Sequence, residues 1–186
     1  MTFQTNIQFD IQTPKGVIFI EKLTQKNLNK DLVNQKINDL LTNKLQIGEI
    51  RIDHLDSGQP FIENIEQLNI SISHSSEWIC IYISEDYAVG VDIEELTPKL
   101  EQIKNQFINF REAEIFIKPN LETLQLIWGA KESIYKYFAG EFTSLEKQVS
   151  IENIDFETKK IKANSIYGWL DCSFEQISEQ VYLVWV

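Results

Sequence analysis

The sequence predicts a mixed α+β fold, and three observations support this. Short runs with apolar residues at alternate positions recur along the chain and are typical of strands. Two longer segments, at about 24–43 and 121–138, instead have the pattern of helices. Strands and helices are mixed without strict alternation, which favours α+β. With 43% hydrophobic and 11% aromatic residues, the 186-residue chain is long and apolar enough for one or two compact lobes.

In the N-terminal half, we expect two strands at 7–11 and 17–21, followed by a helix at about 24–43. Thr24 is the expected N-cap of this helix. It does not form a full capping box with Asn27, so the helix start is approximate. Further strands, separated by turn residues, are expected at 49–54, 68–73, 78–83 and 87–93.

In the C-terminal half, a polar and partly helical segment is expected at 98–116, ended by Lys-Pro-Asn at 118–120. A longer helix is expected at 121–138, because apolar residues recur at helical spacing and no proline occurs there. The final third is expected to be rich in strands, including 148–151, 166–174 and 181–186.

Charge and hydropathy argue against two classes of protein. The chain has 17 basic and 28 acidic residues, a net charge of −11, whereas nucleic-acid binding depends on cations that meet phosphates. No window approaches the roughly 18 apolar residues of a membrane span, and no basic region precedes an apolar run at the start. We therefore expect a cytoplasmic protein that binds neither nucleic acid nor membrane. The segment from Lys15 to Arg51 is nevertheless locally positive, with seven basic and four acidic residues.

The two cysteines, Cys80 and Cys172, lie among strand-like apolar residues and have no spacing typical of a zinc or redox motif. We expect them to be reduced thiols in the core. A catalytic thiol would need a histidine partner, which would have to be His54 or His74, and the sequence offers no further support for that pairing.

Two carboxylates lie at the end of one predicted strand, at positions 92 and 94. Val91 and Ile93 alternate with Asp92 and Glu94, so both carboxylates are expected to project from the same face. Such a face could hold a divalent cation. A strand that ends in Asp-x-Glu could also be entering a solvated loop.

A third carboxylate and a lysine lie on the predicted helix at 121–138. Trp128, Glu132 and Lys136 are spaced i, i+4 and i+8, so they share one stripe, and Glu132 and Lys136 could face the acidic strand together. Hard oxygen ligands of this kind suit magnesium better than zinc. The alternative is an ordinary surface ion pair between Glu132 and Lys136.

These segments resemble a known family. Val-Gly-Val-Asp at 89–92 with Trp-x-x-Lys-Glu-Ser-x-x-Lys at 128–136 is similar to the two-part signature of the 4'-phosphopantetheinyl transferase superfamily. Gly-Gln-Pro at 58–60 and the block at 69–78, which contains Ser-His-Ser, resemble the longer, surfactin-synthetase-activating type. Phe110 with Glu114 matches a weaker family pattern. The resemblance is strong from about residue 58 to residue 140.

The resemblance implies two similar α+β lobes in a pseudo-twofold arrangement. The N-terminal lobe, 1–85, would supply contacts to coenzyme A, and the C-terminal lobe, 86–186, would supply the metal ligands and the signature helix. The active site would lie in the cleft between them. Because one chain of this length would hold both halves of the cleft, we expect a monomer.

The implied reaction moves the 4'-phosphopantetheine arm of coenzyme A to a serine of an acyl or peptidyl carrier protein and releases 3',5'-ADP. By resemblance, Asp92, Glu94 and Glu132 bind Mg²⁺, and Lys136 contacts the transferred phosphate. Glu132, Glu94 and Lys136 are the candidate catalytic residues. Either Glu132 directly, or Glu94 through a metal-bound water, could be the general base. The resemblance implies a client carrier in fatty acid or secondary metabolite biosynthesis.

The residues expected to contact coenzyme A lie in both lobes. They are Ser73, His74, Ser75, Lys131, Lys136 and Arg51. Arg51 or a nearby lysine is included because Gln59 stands where the family commonly has a lysine. Gly129 stands where Ser, Cys or Thr is usual, and a glycine inside a helix suggests a close backbone approach.

A docking face for the carrier protein is expected between the two signature segments. It would combine basic and apolar side chains, unless the phenylalanines pack inward instead. Its residues are Lys99, Lys104, Arg111, Lys118, Phe107 and Phe110.

The sequence leaves two alternative functions open. One is a catalytically silent homologue that binds coenzyme A or a carrier protein. The other is an unrelated magnesium-dependent phosphate enzyme, which would not explain the Ser-His-Ser block.

Overall fold

The computed structural model describes residues 7–24, 29–48, 50–63, 65 and 67–186. The chain divides into two compact units, Met1–Val89 and Gly90–Val186. Each unit contains both strands and helices, so the α+β class expected from the sequence is confirmed. In the described part of the chain, no helix is both long and apolar enough to cross a membrane.

The first unit is built on an antiparallel sheet of four strands with the order β1-β2-β6-β5. Strands β3 and β4 form a separate hairpin. The elements are β1 (Gln8–Gln12), β2 (Val17–Lys22), α1 (Lys30–Leu45), β3 (Ile52–His54), β4 (Pro60–Ile62), β5 (Asn69–His74) and β6 (Trp78–Ser84).

Helix α1 begins later than the sequence pattern predicted. Its N-cap is Asn29, whose side chain accepts a hydrogen bond from the backbone N–H of Leu32 at 2.9 Å. The expectation that Thr24 caps the helix is therefore wrong, in keeping with the stronger N-cap preference of asparagine. Residues 25–28 lie outside the described residues, as does Glu49, the first residue of the strand expected at 49–54.

The core of the first unit lies between α1 and one face of the sheet. Val33, Ile37, Leu40 and Leu41 form the buried stripe of α1. They pack with apolar residues of the sheet that include Phe19, Ile79 and Ile81. The spacing of the four helix residues is that of an amphipathic helix, which explains why this element was visible in the sequence.

The second unit contains an antiparallel sheet of five strands with the order β7-β11-β10-β9-β8. A turn of 3-10 helix at Lys104–Gln106 follows α2. The elements are β7 (Val91–Glu95), α2 (Lys99–Ile103), α3 (Phe110–Ile115), α4 (Leu121–Tyr137), α5 (Leu145–Gln148), β8 (Val149–Asp155), β9 (Lys160–Ser165), β10 (Gly168–Ser178) and β11 (Val181–Trp185).

Helix α4 supplies most of the helical part of the second core. Its buried residues Ile127, Ala130 and Ile134 pack with sheet residues such as Ile161 and Cys172. Both cysteines of the chain are buried, Cys80 in the first unit and Cys172 in the second, as expected for core thiols. The long signature helix of the sequence is thus also the main helix of this core.

Gly90 allows α4 to lie directly against the start of β7. A Cβ atom at this position would lie 1.9 Å from the carbonyl oxygen of Ser133 and 2.8 Å from the backbone nitrogen of Tyr137. These are backbone atoms of α4, so they cannot move aside without a shift of the helix. The backbone of Gly90 also exchanges two hydrogen bonds with Val186, which ties the strand into the sheet. A side chain here would separate the helix from the acidic strand.

We therefore expect Gly90→Ala to lower the free energy of unfolding by about 2–3 kcal/mol, the upper part of the usual range for overpacking. Gly48→Ala is the matched control, because a Cβ at Gly48 would meet nothing within 4 Å. It should change stability by no more than about 1 kcal/mol. Urea unfolding of both variants checks this, and equal effects would contradict the close approach.

Candidate active site

The acidic strand β7 presents Asp92 and Glu94 toward helix α4. On the neighbouring strand β11, Asp92 is paired with Val184 and Glu94 with Tyr182. A Cβ atom at Gly129 of α4 would lie 3.7 Å from the Oδ2 atom of Asp92. Since Asp92 and Glu94 are two residues apart on a strand, both belong to the face that α4 covers. Asp92 itself is only 4% exposed.

Lys136 joins the helix to this strand by two hydrogen bonds. Its ammonium donates to the Oδ1 atom of Asp92 at 2.8 Å and to the carbonyl oxygen of Val91 at 2.9 Å. The Lys136 side chain is 25% exposed, whereas the Asp92 side chain is 5% exposed. The structure therefore brings Asp92 and Lys136 together at a partly accessible site.

Glu94 and Glu132 are electrostatically coupled to this pair. Burial raises the pKa of Glu94 to about 7, and the Asp92 carboxylate adds to the shift, whereas the Lys136 ammonium opposes it. Burial also raises the pKa of Glu132, again with a contribution from Asp92 and opposition from Lys136. The carboxylates of Asp92, Glu94 and Glu132 therefore all lie near Lys136. Together they carry more negative charge than its ammonium group neutralises.

The donor set fits a magnesium ion. In the described part of the chain, no three acidic, histidine or cysteine side chains lie close enough together to form a ready-made metal site. Asp92, Glu94 and Glu132 are therefore neighbours but not a complete ligand shell. Magnesium is usually held by one or two carboxylates, with waters and substrate phosphates filling the other positions. Two carboxylates of this cluster, with their uncompensated charge, meet that requirement.

Gly129 and Ser133 hold the helix close to β11. A Cβ atom at Gly129 would lie 2.9 Å from a methyl carbon of Val184, which confirms the close approach expected at this glycine. The Ser133 hydroxyl lies 2.9 Å from the carbonyl oxygen of Val184 and 2.8 Å from that of Gly129. Because Val184 is the partner of Asp92 in the sheet, these contacts fix the helix opposite the acidic strand.

This arrangement lies inside a segment that matches a known protein family. A sequence model of the 4'-phosphopantetheinyl transferase superfamily matches residues 88–182, just over half of the chain and nearly the whole of the second unit. The chain belongs to this superfamily. A comparison with curated proteins finds no significant match. The matched segment contains the four coupled residues, Asp92, Glu94, Glu132 and Lys136.

Lys131, another residue of the superfamily signature, lies away from this cluster. Its ammonium donates to the Oε2 atom of Glu112 at 2.8 Å and to the carbonyl oxygens of Phe107 and Val149 at 2.6 and 2.8 Å. The side chains of Lys131 and Glu112 are both 0% exposed. Burial lowers the pKa of Lys131 and raises that of Glu112, and their pairing opposes both shifts. Lys131 is therefore completely buried against Glu112, and we expect it to support the structure rather than to contact coenzyme A.

Glu112 is the site-supporting residue that the sequence reasoning missed. With Asn109 it forms a capping box at the start of α3, in which each side chain accepts the other's backbone N–H at 2.8 Å. It also accepts the N–H of Ile151 at 2.7 Å. The Asn-x-x-Glu spacing at 109–112 was the available signal. The expected match used Phe110 and Glu114 instead, and both of these residues are exposed.

The expected docking face is only partly formed. Phe107 is 1% exposed and packs edge-on against Trp128, with ring centroids 5.2 Å apart, so it follows the alternative in which it packs inward. Phe110 is 80% exposed and Ile117 is 78% exposed. Arg111 is paired with Glu152. Exposed apolar side chains therefore lie on α3 at Phe110 and just after it at Ile117, but Phe107 is not part of such a face.

In the first unit, Ser73, His74 and Ser75 lie at the end of β5. Ser73 is buried, His74 is exposed and is paired in register with Ile79, and the Ser75 backbone N–H donates to the carbonyl oxygen of Trp78 at 2.9 Å. The Ser75 hydroxyl oxygen is buried and makes no hydrogen bond with any residue that the structure describes. Arg51 is exposed immediately before β3.

We expect Lys131→Met to lower the free energy of unfolding by about 3–5 kcal/mol, because it leaves the buried Glu112 carboxylate without its counter-charge. Lys147→Met, at an exposed position of α5, is the control and should change stability by less than about 0.5 kcal/mol. Urea unfolding measures both. Unchanged stability of Lys131→Met, combined with weaker coenzyme A binding, would restore the original expectation.

Glu94 is expected to make stability fall as pH rises. Its pKa is raised from 4.5 to about 7 by folding, so its favourable contribution is complete below about pH 4.5 and is lost as pH rises through 7. This loss amounts to at most about 3 kcal/mol. Glu94→Gln removes the titration, so the stability of the variant relative to the parent should increase from pH 5 to pH 8.

Urea unfolding at both pH values, with a chelator present, tests this dependence. Glu101→Gln, on the exposed surface of α2, controls for the amide substitution itself. A stability difference between Glu94→Gln and the parent that stays constant with pH would contradict the raised pKa.

Proposed function

We propose that this protein is a magnesium-dependent 4'-phosphopantetheinyl transferase of the holo-acyl-carrier-protein synthase type. It transfers the arm of coenzyme A to a serine of an apo carrier protein. The observation that carries the proposal is the coupling of three carboxylates with Lys136, inside the segment that matches the superfamily. Superfamily membership alone gives phosphopantetheine transfer in general. The three carboxylates add groups that can bind a cation, and Lys136 adds a group that can bind a phosphate.

The reaction forms one phosphorus–oxygen bond and breaks another. The hydroxyl oxygen of the carrier serine attacks the β-phosphorus of coenzyme A, and the bond from that phosphorus to the bridging oxygen breaks. 3',5'-ADP leaves with the bridging oxygen, and the serine proton passes to a base. Asp92, Glu94 and Glu132 are the residues that would hold magnesium, which neutralises charge on the diphosphate.

Lys136 supplies the positive charge that the protein itself contributes. Its position is fixed by hydrogen bonds to Asp92 and to the carbonyl oxygen of Val91, and its side chain is partly exposed. A lysine held in this way can meet a phosphate oxygen without reorganising, which is the condition for electrostatic stabilisation of the transition state. We therefore assign Lys136 to the transferred phosphate.

Glu94 and Glu132 are both candidates for the general base. An ordinary carboxylate is a poor proton acceptor at neutral pH, but burial raises the pKa of both residues, that of Glu94 to about 7. A base with a pKa near the working pH transfers protons most effectively. These shifts apply to the metal-free protein, and a bound cation lowers the pKa of its carboxylate ligands. We therefore keep both routes in the proposal, with Glu132 as a direct base or Glu94 acting through a metal-bound water.

In the first unit, we assign Ser73, His74, Ser75 and Arg51 to coenzyme A. The support comes from the exposed imidazole of His74 and from the Ser75 hydroxyl, which is buried without a hydrogen-bond partner among the described residues. Hydroxyl, imidazole and guanidinium groups can all donate hydrogen bonds to phosphate oxygens.

Several expectations from the resemblance stay predictions. They are the pseudo-twofold arrangement of two lobes, the cleft between them, the monomeric and cytoplasmic state, and the surfactin-synthetase-activating type.

The partner is proposed to be an acyl or peptidyl carrier protein. The net charge of −11 opposes encounter with an acidic carrier, so local cations must guide it. Phe110 and Ile117 offer exposed apolar area, and Arg111 and Lys118 are adjacent to them in sequence. We assign carrier contact to this part of the chain.

Intact-protein mass spectrometry tests the function directly. Apo carrier proteins incubated with this protein, coenzyme A and magnesium should gain the mass of one phosphopantetheinyl arm, and a chelator should prevent the gain. Asp92→Ala and Glu132→Ala should abolish transfer while circular dichroism shows a folded protein. Glu101→Ala, at an exposed position, should transfer normally. Full activity of either cluster variant would refute the assigned site.

The same assay separates coenzyme A binding from chemistry. His74→Ala should raise the coenzyme A concentration needed for half-maximal rate and leave the maximal rate largely unchanged. An unchanged coenzyme A dependence would remove His74 from the site. Coenzyme A binding without any transfer, across a broad panel of carriers, would instead favour the catalytically silent homologue.

A further inference from the structure

Gln125 is a buried polar residue in α4 that the proposed chemistry does not use. The residue is 2% exposed. Its side-chain oxygen Oε1 is buried and accepts no hydrogen bond from any residue that the structure describes. An unsatisfied amide oxygen in a protein interior is costly, and such atoms usually have a partner that the protein atoms alone do not show.

The contacts of two glycines establish how α4 runs along β7. Gly90 lies against the backbone of Ser133, and Gly129 lies against Asp92 and its sheet partner. Moving forward along the strand from residue 90 to residue 92 therefore corresponds to moving backward along the helix from residue 133 to residue 129. The helix and the strand are antiparallel, and two strand residues match four helix residues.

The next step along both elements brings Glu94 and Gln125 to the same level. Two strand residues advance about 6.6 Å and four helix residues advance about 6 Å, so the match persists over this short distance. A second contact agrees with it. The hydroxyl of Tyr182, the sheet partner of Glu94, donates to the carboxylate of Glu122, one turn before Gln125 on the helix, at 2.5 Å.

Gln125 also lies on the stripe of α4 that faces the acidic cluster. Gln125, Gly129, Glu132 and Lys136 are spaced i, i+4, i+7 and i+11, which places them on one side of a helix. Gly129 has no side chain, and its backbone lies against the Val184 side chain, with the Asp92 carboxylate beside it. The register and the stripe together therefore place position 125 beside Glu94, at one end of the cluster.

We propose that the side-chain oxygen of Gln125 is part of the oxygen donor set that holds the divalent cation with Asp92, Glu94 and Glu132. This inference rests on the proposed function and names a further residue of its cation site. An amide carbonyl is a hard oxygen ligand of the same class as a carboxylate oxygen but carries no charge. It adds a donor where three carboxylates already repel one another.

Cation binding, measured without a carrier protein so that no turnover occurs, tests the proposal. The free Mn²⁺ signal in electron paramagnetic resonance gives the affinity, with and without coenzyme A. Gln125→Leu should weaken Mn²⁺ binding roughly tenfold or more, the usual loss when a group that supports a metal site is removed. Gln125→Glu keeps an oxygen at this position and should retain binding. Leu126→Met, at the neighbouring buried position, is the control for disturbance of the helix.

Thermal unfolding gives a second, independent result. In a chelator, Gln125→Leu should melt no lower than the parent, because an apolar side chain replaces an unpartnered polar one. The increase in melting temperature on adding Mg²⁺ should be smaller than in the parent. If Gln125→Leu fails to fold, Gln125→Met carries the same test.

The outcomes separate this inference from the proposed function. Parent-like Mn²⁺ affinity in Gln125→Leu would overturn the role of Gln125 and leave the proposed function intact. A lower melting temperature in chelator together with unchanged Mn²⁺ affinity would show a structural amide, which also overturns it. No cation binding by the parent protein, with or without coenzyme A, would refute the magnesium dependence and this inference together.

Discussion

The close approach of helix α4 to strands β7 and β11 is the constraint on which the second unit depends. Gly90 and Gly129 remove the side chains that would hold the helix away, and Ser133 bonds it to the carbonyl oxygen of Val184. At this separation, the Lys136 ammonium bonds to Asp92, and the charges of both residues affect the pKa of Glu132. Burial of the carboxylates follows from the same packing, so fold and electrostatics have one origin.

The acidic strand and the long helix could be predicted from the sequence because each has a clear apolar period. Only part of the site could be predicted in this way. A motif places Lys131 and Lys136 together in sequence, but residues five apart lie about 140° apart around a helix, so they face different surroundings. Lys136 reaches the acidic strand, whereas Lys131 is buried beside Glu112. This difference in direction follows from the residue numbers alone, but the superfamily motif groups the two lysines together.

Contacts between distant segments account for the remaining differences. The role of Glu112 depends on Ile151 and Lys131, which are 39 and 19 residues away, and no local period reports such contacts. The start of α1 had a local signal in Asn29, but Thr24 offered a competing cap with weaker preference. Local patterns therefore located the main elements, and tertiary packing decided which polar residues face the site.

The buried pair of Lys131 and Glu112 has a consequence for variation in this chain. It attaches α3 to the side of α4 that faces away from the acidic strand, through groups with no exposed surface. The outer side of α3, which carries Phe110 at 80% exposure, takes no part in that attachment. Substitutions on the outer side can therefore accumulate without disturbing the packing that holds Asp92, Glu94 and Glu132 together.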